Sequence, residues 1–294
     1  MAKARNYNFL GNYTYYVPGV ADMFIILAWL LLGALVGNIA NLAFVAVLGS
    51  EAGMEYGMLV AYPIMFIPVM IYAANKSRKN AFFNKGIKVD SNNFKPHCGA
   101  VCALVVIIAT LAMAFCADFL SSLMPPVPEF LEEVLKSLTN GNLLINFLCV
   151  SIFAPIFEEW LCRGMVLRGL LNNNMKPVWA IVISAIFFAV IHANPWQAIP
   201  AFFLGVLFAY VYYKTGSLKL TMLMHFTNNT FALVLSNIDK FKDMESWRDV
   251  FGGPAYWIIF AASVIIVALS VLFFKKIELI RKAGNSDEVP QLFD

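Results

Sequence analysis

Residues 21–48 read ADMFIILAWLLLGALVGNIANLAFVAVL, an apolar run in which Asp22 is the one charged residue. About 20 predominantly apolar residues are enough for a helix to cross about 30 Å of hydrocarbon. The whole chain has this character, because 61% of its 294 residues are hydrophobic and 13% are charged. Soluble domains keep about 25% of their residues charged. The composition therefore excludes an ordinary soluble globular protein.

Similar apolar runs follow one another along the rest of the chain. Lipid offers the backbone no hydrogen-bonding partner, and the polar alternation of a barrel strand is missing, so each run is predicted to be a helix. We predict an all-α polytopic transmembrane bundle of about eight helices, a single integral membrane domain over residues 1–294, with a polar, disordered tail at 283–294. The runs are 21–48, 58–74, 99–123, 143–170, 177–193, 198–213, 218–236 and 255–274.

The charges of the short loops predict the orientation. Basic loops alternate with loops that are acidic or uncharged, and loops rich in lysine and arginine stay on the cytoplasmic side. Both termini are therefore predicted to be cytoplasmic. Together with the short loops, this is compatible with a multi-pass protein of a prokaryotic inner membrane. The basic residues concerned are Lys76, Arg78, Lys79, Lys85, Lys88, Arg168, Lys176, Lys214, Lys219, Lys275, Lys276, Arg281 and Lys282.

The partner expected from composition is the lipid bilayer. The net charge is only +3. The basic residues are also too scattered to form a nucleic-acid surface, so no nucleic-acid partner is expected.

The fourth run carries three ionisable residues in the stretch SIFAPIFEEWLCRG, residues 151–164. Each such residue costs about 2.5–3.5 kcal/mol inside a membrane and therefore needs a partner or a purpose. Glu159 and Arg163 are i,i+4 neighbours on one helical face, so we predict that Arg163 neutralises Glu159. Glu158 is rotated away from Arg163 and is the carboxylate with the least local compensation. A buried ion-pair network without a catalytic role is the alternative.

Two of the three histidines also lie inside apolar runs: His192 ends the fifth run, and His225 lies one turn before Asn229 in the seventh. A single membrane histidine usually serves interhelical hydrogen bonding. Two histidines, two carboxylates, an arginine and an asparagine on three helices could also supply a general base and oxyanion donors, as water attack on an amide requires. The candidate catalytic residues are Glu158, Glu159, Arg163, His192, His225 and Asn229.

The depths of these residues can be counted at about 1.5 Å per residue from the nearest cytoplasmic basic side chain. His225 is then about 9 Å deep, Glu158 about 15 Å and His192 about 24 Å. Convergence requires the fifth helix to tilt or to begin below the membrane surface. Site depth and the basic loops together predict that substrate reaches the site from the cytoplasm.

Other hydrolytic signatures are missing from the sequence. It contains no His-Glu-x-x-His, no Gly-x-Ser-x-Gly, no Gly-x-Gly-Asp and no glycine-rich phosphate loop. These absences count against zinc-helix, serine, aspartyl and ATP-driven mechanisms. A metal ion held by Glu158, His192 and His225 stays open by residue type alone.

Three motifs follow one another on successive apolar helices: Glu-Glu-x-x-x-Arg at 158–163, Phe-x-x-x-His at 188–192 and His-x-x-x-Asn at 225–229. In this order they resemble the motifs of the CPBP family of CAAX proteases and bacteriocin-processing proteins. This family is also called Abi and includes the type II CAAX prenyl endopeptidases. The resemblance covers the motif-bearing core at 143–236. It implies an intramembrane glutamic endopeptidase that needs no metal or other cofactor and hydrolyses a peptide bond of a membrane-associated peptide or lipidated protein.

The resemblance also implies individual roles. Glu158 and His192 would hold and deprotonate the attacking water, and His225 with Asn229 would stabilise the oxyanion. Glu159 and Arg163 would shape the site. Two other functions use the same residues: a non-catalytic relative acting as a membrane scaffold or immunity protein, and a small transporter or proton relay whose path these side chains line.

Overall fold

The computed structural model describes residues 8–132, 141–241, 244 and 246–279, without the side chain of Glu51. These residues form helices joined by turns and short irregular segments, and no β-strand occurs among them. The all-α prediction is therefore confirmed. The predicted disordered tail at 283–294 lies outside the described residues.

Each of the eight predicted runs is a helix. Within the described residues, six helices are long and apolar enough to cross a membrane. The other two are α5, with only 14 residues, and α7, whose central histidine and asparagines make it more polar. A short helix, α8, was not predicted. The helices are α1 (Val20–Leu48), α2 (Ser50–Asn80), α3 (Gly99–Ser121), α4 (Leu143–Asn172), α5 (Pro177–Val190), α6 (Pro195–Thr215), α7 (Leu218–Ser236), α8 (Trp247–Phe251) and α9 (Gly253–Lys275).

The predicted basic loops meet at one end of the bundle, which we call the basic end. Arg168 of α4 donates hydrogen bonds to the carbonyls of Tyr13, Tyr16 and Ile87, which joins α4 to the N-terminal segment and to the α2–α3 loop. The same loop reaches the α6–α7 link, where Asp90 accepts from the backbone N–H of Leu218.

The remaining loops meet at the opposite end, which we call the acidic end. Trp196, in the first turn of α6, donates to the carbonyl of Pro125 beyond the end of α3. Asp118 of α3 accepts from the hydroxyl of Ser246 just before α8. The loops therefore lie at the two ends of the bundle in the way that the charge alternation predicted. The cytoplasmic location of the basic end rests on the positive-inside rule.

Helices α1 and α2 form a hairpin that packs very closely. A Cβ added at Gly33 would lie 1.9 Å from the carbonyl oxygen of Met65, so only glycine allows the two backbones to approach this far. The hairpin contacts α4 through Phe66, whose ring stacks on that of Phe157 with centroids 5.1 Å apart. It thereby brings a face of α2 against the motif-bearing helix.

Helix α4 contains two wide-turn π-helical segments, Phe147–Phe153 and Trp160–Leu167, on either side of the glutamate pair. At the first of them the N–H of Ala154 donates to the carbonyl of Cys149, five residues back. Pro155 has no N–H to donate. The carbonyl of Val150 is therefore released from the helix ladder and is available to another helix.

Candidate active site

Arg163 lies at the centre of the motif region and is completely buried. Its Nη1 donates to Glu159 Oε1 at 2.9 Å, which confirms the predicted i,i+4 pair. Its Nη2 donates to the carbonyl of Gly205 on α6 at 2.9 Å. The guanidinium also lies over the ring of Phe188 on α5, 4.5 Å from its centroid. One arginine thus holds α4, α5 and α6 together.

Glu159 is completely buried and directs Oε1 at two partners. Besides Arg163, this oxygen is 3.1 Å from Nδ1 of His225 on α7. A carboxylate only accepts, so Nδ1 of His225 carries the hydrogen of this contact. Glu159 therefore orients His225 and does not line the cavity next to it.

Glu158 has different surroundings from its neighbour. Its Oε1 accepts a hydrogen bond from the hydroxyl of Tyr62 on α2. Its Oε2 is buried and has no hydrogen-bond partner among the residues that the structure describes. Glu158 also lines a cavity, so its carboxylate combines a place beside that cavity with one oxygen that no described group contacts.

His192 lies in the link between α5 and α6, two residues beyond the last residue of α5. Its Nδ1 is 2.7 Å from the carbonyl of Phe188, and a carbonyl only accepts, so Nδ1 carries the hydrogen. In the neutral ring, Nε2 then keeps a lone pair. The link is held in turn by Asn194, whose Nδ2 donates to the carbonyl of His192 at 3.0 Å.

Asn229 is fixed by the irregular turn of α4. Its Nδ2 donates at 2.8 Å to the carbonyl of Val150, the one released beside Pro155. Its Oδ1 accepts from Nδ2 of Asn228 at 3.1 Å. The second hydrogen of the Asn229 amide is left for another acceptor.

A cavity of about 480 Å³ lies between these side chains. Of the six residues predicted for the site, Glu158, His192, His225 and Asn229 line it, whereas Glu159 and Arg163 stand behind them. Its volume is within the range of small-ligand and substrate sites. The structure thus brings all three motifs to one place.

The depth difference expected between Glu158 and His192 becomes small in the fold. Arg168, used above to mark the membrane surface on α4, is completely buried, and the helix continues to Asn172. Counted from Asn172, Glu158 is about 21 Å along its helix, close to the 24 Å of His192. The ring of Phe188 bridges the two histidines, with centroids 5.0 Å from His192 and 5.4 Å from His225.

Sequence reasoning missed Tyr62, which lies on α2 far from the three motifs. A signal existed, because this hydroxyl lies in the middle of an apolar run and needs a partner there. Which of several polar residues on α1 and α2 would meet a glutamate could not be read from their spacing.

The described residues contain no group of three or more histidine, cysteine, aspartate or glutamate side chains arranged to hold a metal ion. Glu158, His192 and His225 share the cavity without forming such a group.

Comparison with known proteins supports the motif assignment. Residues 140–231 match the family model described as type II CAAX prenyl endopeptidase Rce1-like. A relative from Escherichia coli, described as an uncharacterized 24.3 kDa protein, is 22% identical over 134 residues, which is 44% of this chain and 62% of that protein. The chain thus spans less than two thirds of that relative's length. No solved structure matches the chain. Residues 140–231 thus match the Rce1-like family model, and this is the family that the three motifs predicted.

Proposed function

We propose that this protein is an intramembrane glutamic endopeptidase that hydrolyses a peptide bond of a membrane-associated polypeptide by direct attack of water. The observation that carries the proposal is that Glu158, whose Oε2 has no hydrogen-bond partner among the described residues, lines one cavity together with His192, His225 and Asn229. The Rce1-like match over residues 140–231 supports a CAAX-type protease at the level of the family.

Glu158 and His192 are the groups that activate water. A water molecule in the cavity donates one hydrogen to Oε2 of Glu158 and the other to the Nε2 lone pair of His192. Glu158 takes the first proton as the water oxygen bonds to the scissile carbonyl carbon. The carboxylic acid so formed returns the proton to the leaving amine as the carbon–nitrogen bond breaks, which restores the carboxylate.

His225 and Asn229 stabilise the negative charge that develops on the carbonyl oxygen. When His225 is protonated, Glu159 accepts the hydrogen of Nδ1 and leaves the Nε2 hydrogen to donate to the oxyanion. The free hydrogen of the Asn229 amide is the second donor. Donors fixed in advance by Glu159 and by the carbonyl of Val150 need no reorganisation during the reaction, and this is the source of their effect on rate.

Glu159 and Arg163 act as positioning residues in this mechanism, because they contact no molecule in the cavity. Arg163 holds Glu159, and Glu159 holds the tautomer and orientation of His225. Removing either side chain leaves a buried partner charge, so their substitutions affect folding as well as rate.

The first test compares Glu158→Gln and Glu159→Gln with wild type on a quenched peptide library, with and without farnesyl-cysteine. Loss of a general base costs about 10²–10⁴-fold in rate, so Glu158→Gln is expected to lose at least 100-fold. Glu159→Gln keeps a hydrogen-bond acceptor for His225 and is expected to lose less. Glu278→Gln, an exposed glutamate near the end of α9, is the matched control.

Three results would count against the proposal, two from this test and one from adding a chelator. Equal losses in Glu278→Gln and Glu158→Gln would show that the effect is not specific to the cavity. Absence of cleavage by wild-type protein, in detergent and in lipid alike, would favour the scaffold and transport alternatives. Activity that a chelator abolishes and that added zinc restores would contradict direct water activation by Glu158.

A further inference from the structure

The cavity of the proposed protease lies towards the acidic end of the bundle. Its walls include His192 and Gln197, from the link after α5 and the first turn of α6. Helix α7 contributes Asn228 and Ala232 from its second half, and α2 contributes Met58 from its first half. All these segments lie nearer to the acidic end of the bundle than to the basic end. Of the α7 residues that line the cavity, Asn228 and Asn229 are partly exposed and Ala232 is exposed, whereas His225 and Leu233 are buried.

The opposite side of the cavity is closed. From Trp160 to Leu171 every residue of α4 is buried, including Arg163 and Arg168. Met224 on α7 and Tyr212 on α6 are completely buried in the same half of the bundle. Among the described residues, a packed layer therefore separates Glu158 from the basic end.

The distribution of charged residues indicates which end of the bundle lies on which side of the membrane. The basic end carries Lys76, Arg78 and Lys79 of α2 together with Lys214 and Lys275, and such ends stay cytoplasmic. The open side of the cavity therefore faces away from the cytoplasm. We propose that the substrate reaches Glu158 from the non-cytoplasmic half of the membrane, so the substrate class is a polypeptide whose scissile bond is presented there. This reverses the cytoplasmic access predicted from the sequence, and it rests on the proposed protease function.

A second cavity at the same end supports a polypeptide occupant. It has a volume of about 580 Å³ and shares the wall formed by Met58, Tyr62 and Met65 with the first cavity. Asn38 and Asn41 of α1 line it, and Oδ1 of Asn41 is buried with no hydrogen-bond partner among the described residues. Amide groups in such a place can bind the backbone of substrate residues that flank the scissile bond.

Thiol labelling in oriented vesicles tests the access side without needing activity. Native Cys98, exposed at the start of α3, marks the basic end. The background variant carries Cys116→Ser and Cys149→Ala, which removes a partly exposed thiol and one that lines the cavity. Ala232→Cys then places a thiol at the cavity mouth. A membrane-impermeant maleimide is expected to label position 232 from the outside in right-side-out vesicles, and Cys98 only in inside-out vesicles.

Labelling of position 232 and of Cys98 from the same side would overturn the proposal. In the second arm, the most readily cleaved library peptide is added to sealed vesicles of each orientation. Faster cleavage is expected in right-side-out vesicles, and faster cleavage in inside-out vesicles would also overturn the access side. Failure of the protease function has a different signature, because the labelling pattern would hold while wild-type protein cleaved nothing in either orientation.

Discussion

Two adjacent glutamates in α4 have unlike surroundings, and this difference underlies the roles that we propose for them. Glu159 shares one oxygen between Arg163 and His225 and has no contact with the cavity. Glu158 accepts one hydrogen bond from Tyr62 and lines the cavity. Oε2 of each glutamate is buried without a hydrogen-bond partner among the described residues, so the difference lies in the cavity beside Glu158. The first arrangement suits a residue that orients others, and the second suits a base.

We propose that Tyr62, through its hydrogen bond, positions Glu158 for its role as the base, and Tyr62→Phe tests this. The ring would keep its packing, but Oε1 of Glu158 would lose its donor, and a hydrogen bond to a charged group is worth about 1.5–3 kcal/mol. We expect kcat to fall about tenfold to a hundredfold with little change in KM, measured on the most readily cleaved peptide.

Tyr56→Phe is the matched control, because Tyr56 is on the same helix with 46% of its surface exposed. It should behave as wild type. A Tyr62→Phe variant with unchanged kcat, or one whose loss is all in KM, would show that Tyr62 does not position the base.

At the scale of single helices, an irregular turn of α4 fixes the position of one candidate site residue, Asn229. A regular helix would keep the carbonyl of Val150 within its own ladder, and Asn229 would then have no fixed partner. Pro155 and the wide turn before it release that carbonyl. The break in helical pattern and the asparagine that uses it are on different helices, so the pairing becomes visible only in the fold.

The α1–α2 hairpin depends on glycine contacts, and Gly33→Ala tests this dependence. The added Cβ would lie 1.9 Å from the carbonyl oxygen of Met65, so the helices must move apart. Overpacking of this kind costs about 1–3 kcal/mol. We expect a lower Tm in detergent and also lower activity, because α2 carries Tyr62.

Gly11→Ala makes the same chemical change where the nearest atom would be 3.8 Å away, and it should leave Tm close to wild type. If the two alanine variants had equal Tm values, close backbone contact would not be what holds α1 against α2.

At the scale of the whole molecule, Arg168 joins the segments that close the basic end. It is completely buried and bonds only to backbone carbonyls, on α4, the N-terminal segment and the α2–α3 loop. Arg168→Met would leave these carbonyls unpaired in the interior, at about 1–3 kcal/mol each. We expect a clear fall in Tm, and thermal unfolding in detergent would measure it.

The comparison for Arg168 is Lys219, whose side chain is 70% exposed and pairs with Asp90. Surface ion pairs contribute about 0–1 kcal/mol, so Lys219→Met should change Tm little. A Tm for Arg168→Met as high as that of Lys219→Met would mean that the carbonyl contacts do not stabilise the closed end.

The sequence by itself determined the helices, the end at which each loop lies, the Glu159–Arg163 pair and the family. These features depend on local hydropathy, on charge counts and on neighbours within one helix turn, all of which can be read directly from the amino-acid sequence. The contact of Tyr62 with Glu158, the hydrogen bond of Glu159 to His225, the anchoring of Asn229 and the open side of the cavity were decided only by the tertiary structure. Each requires two or more distant helices at a particular tilt and depth, and side-chain packing sets these quantities.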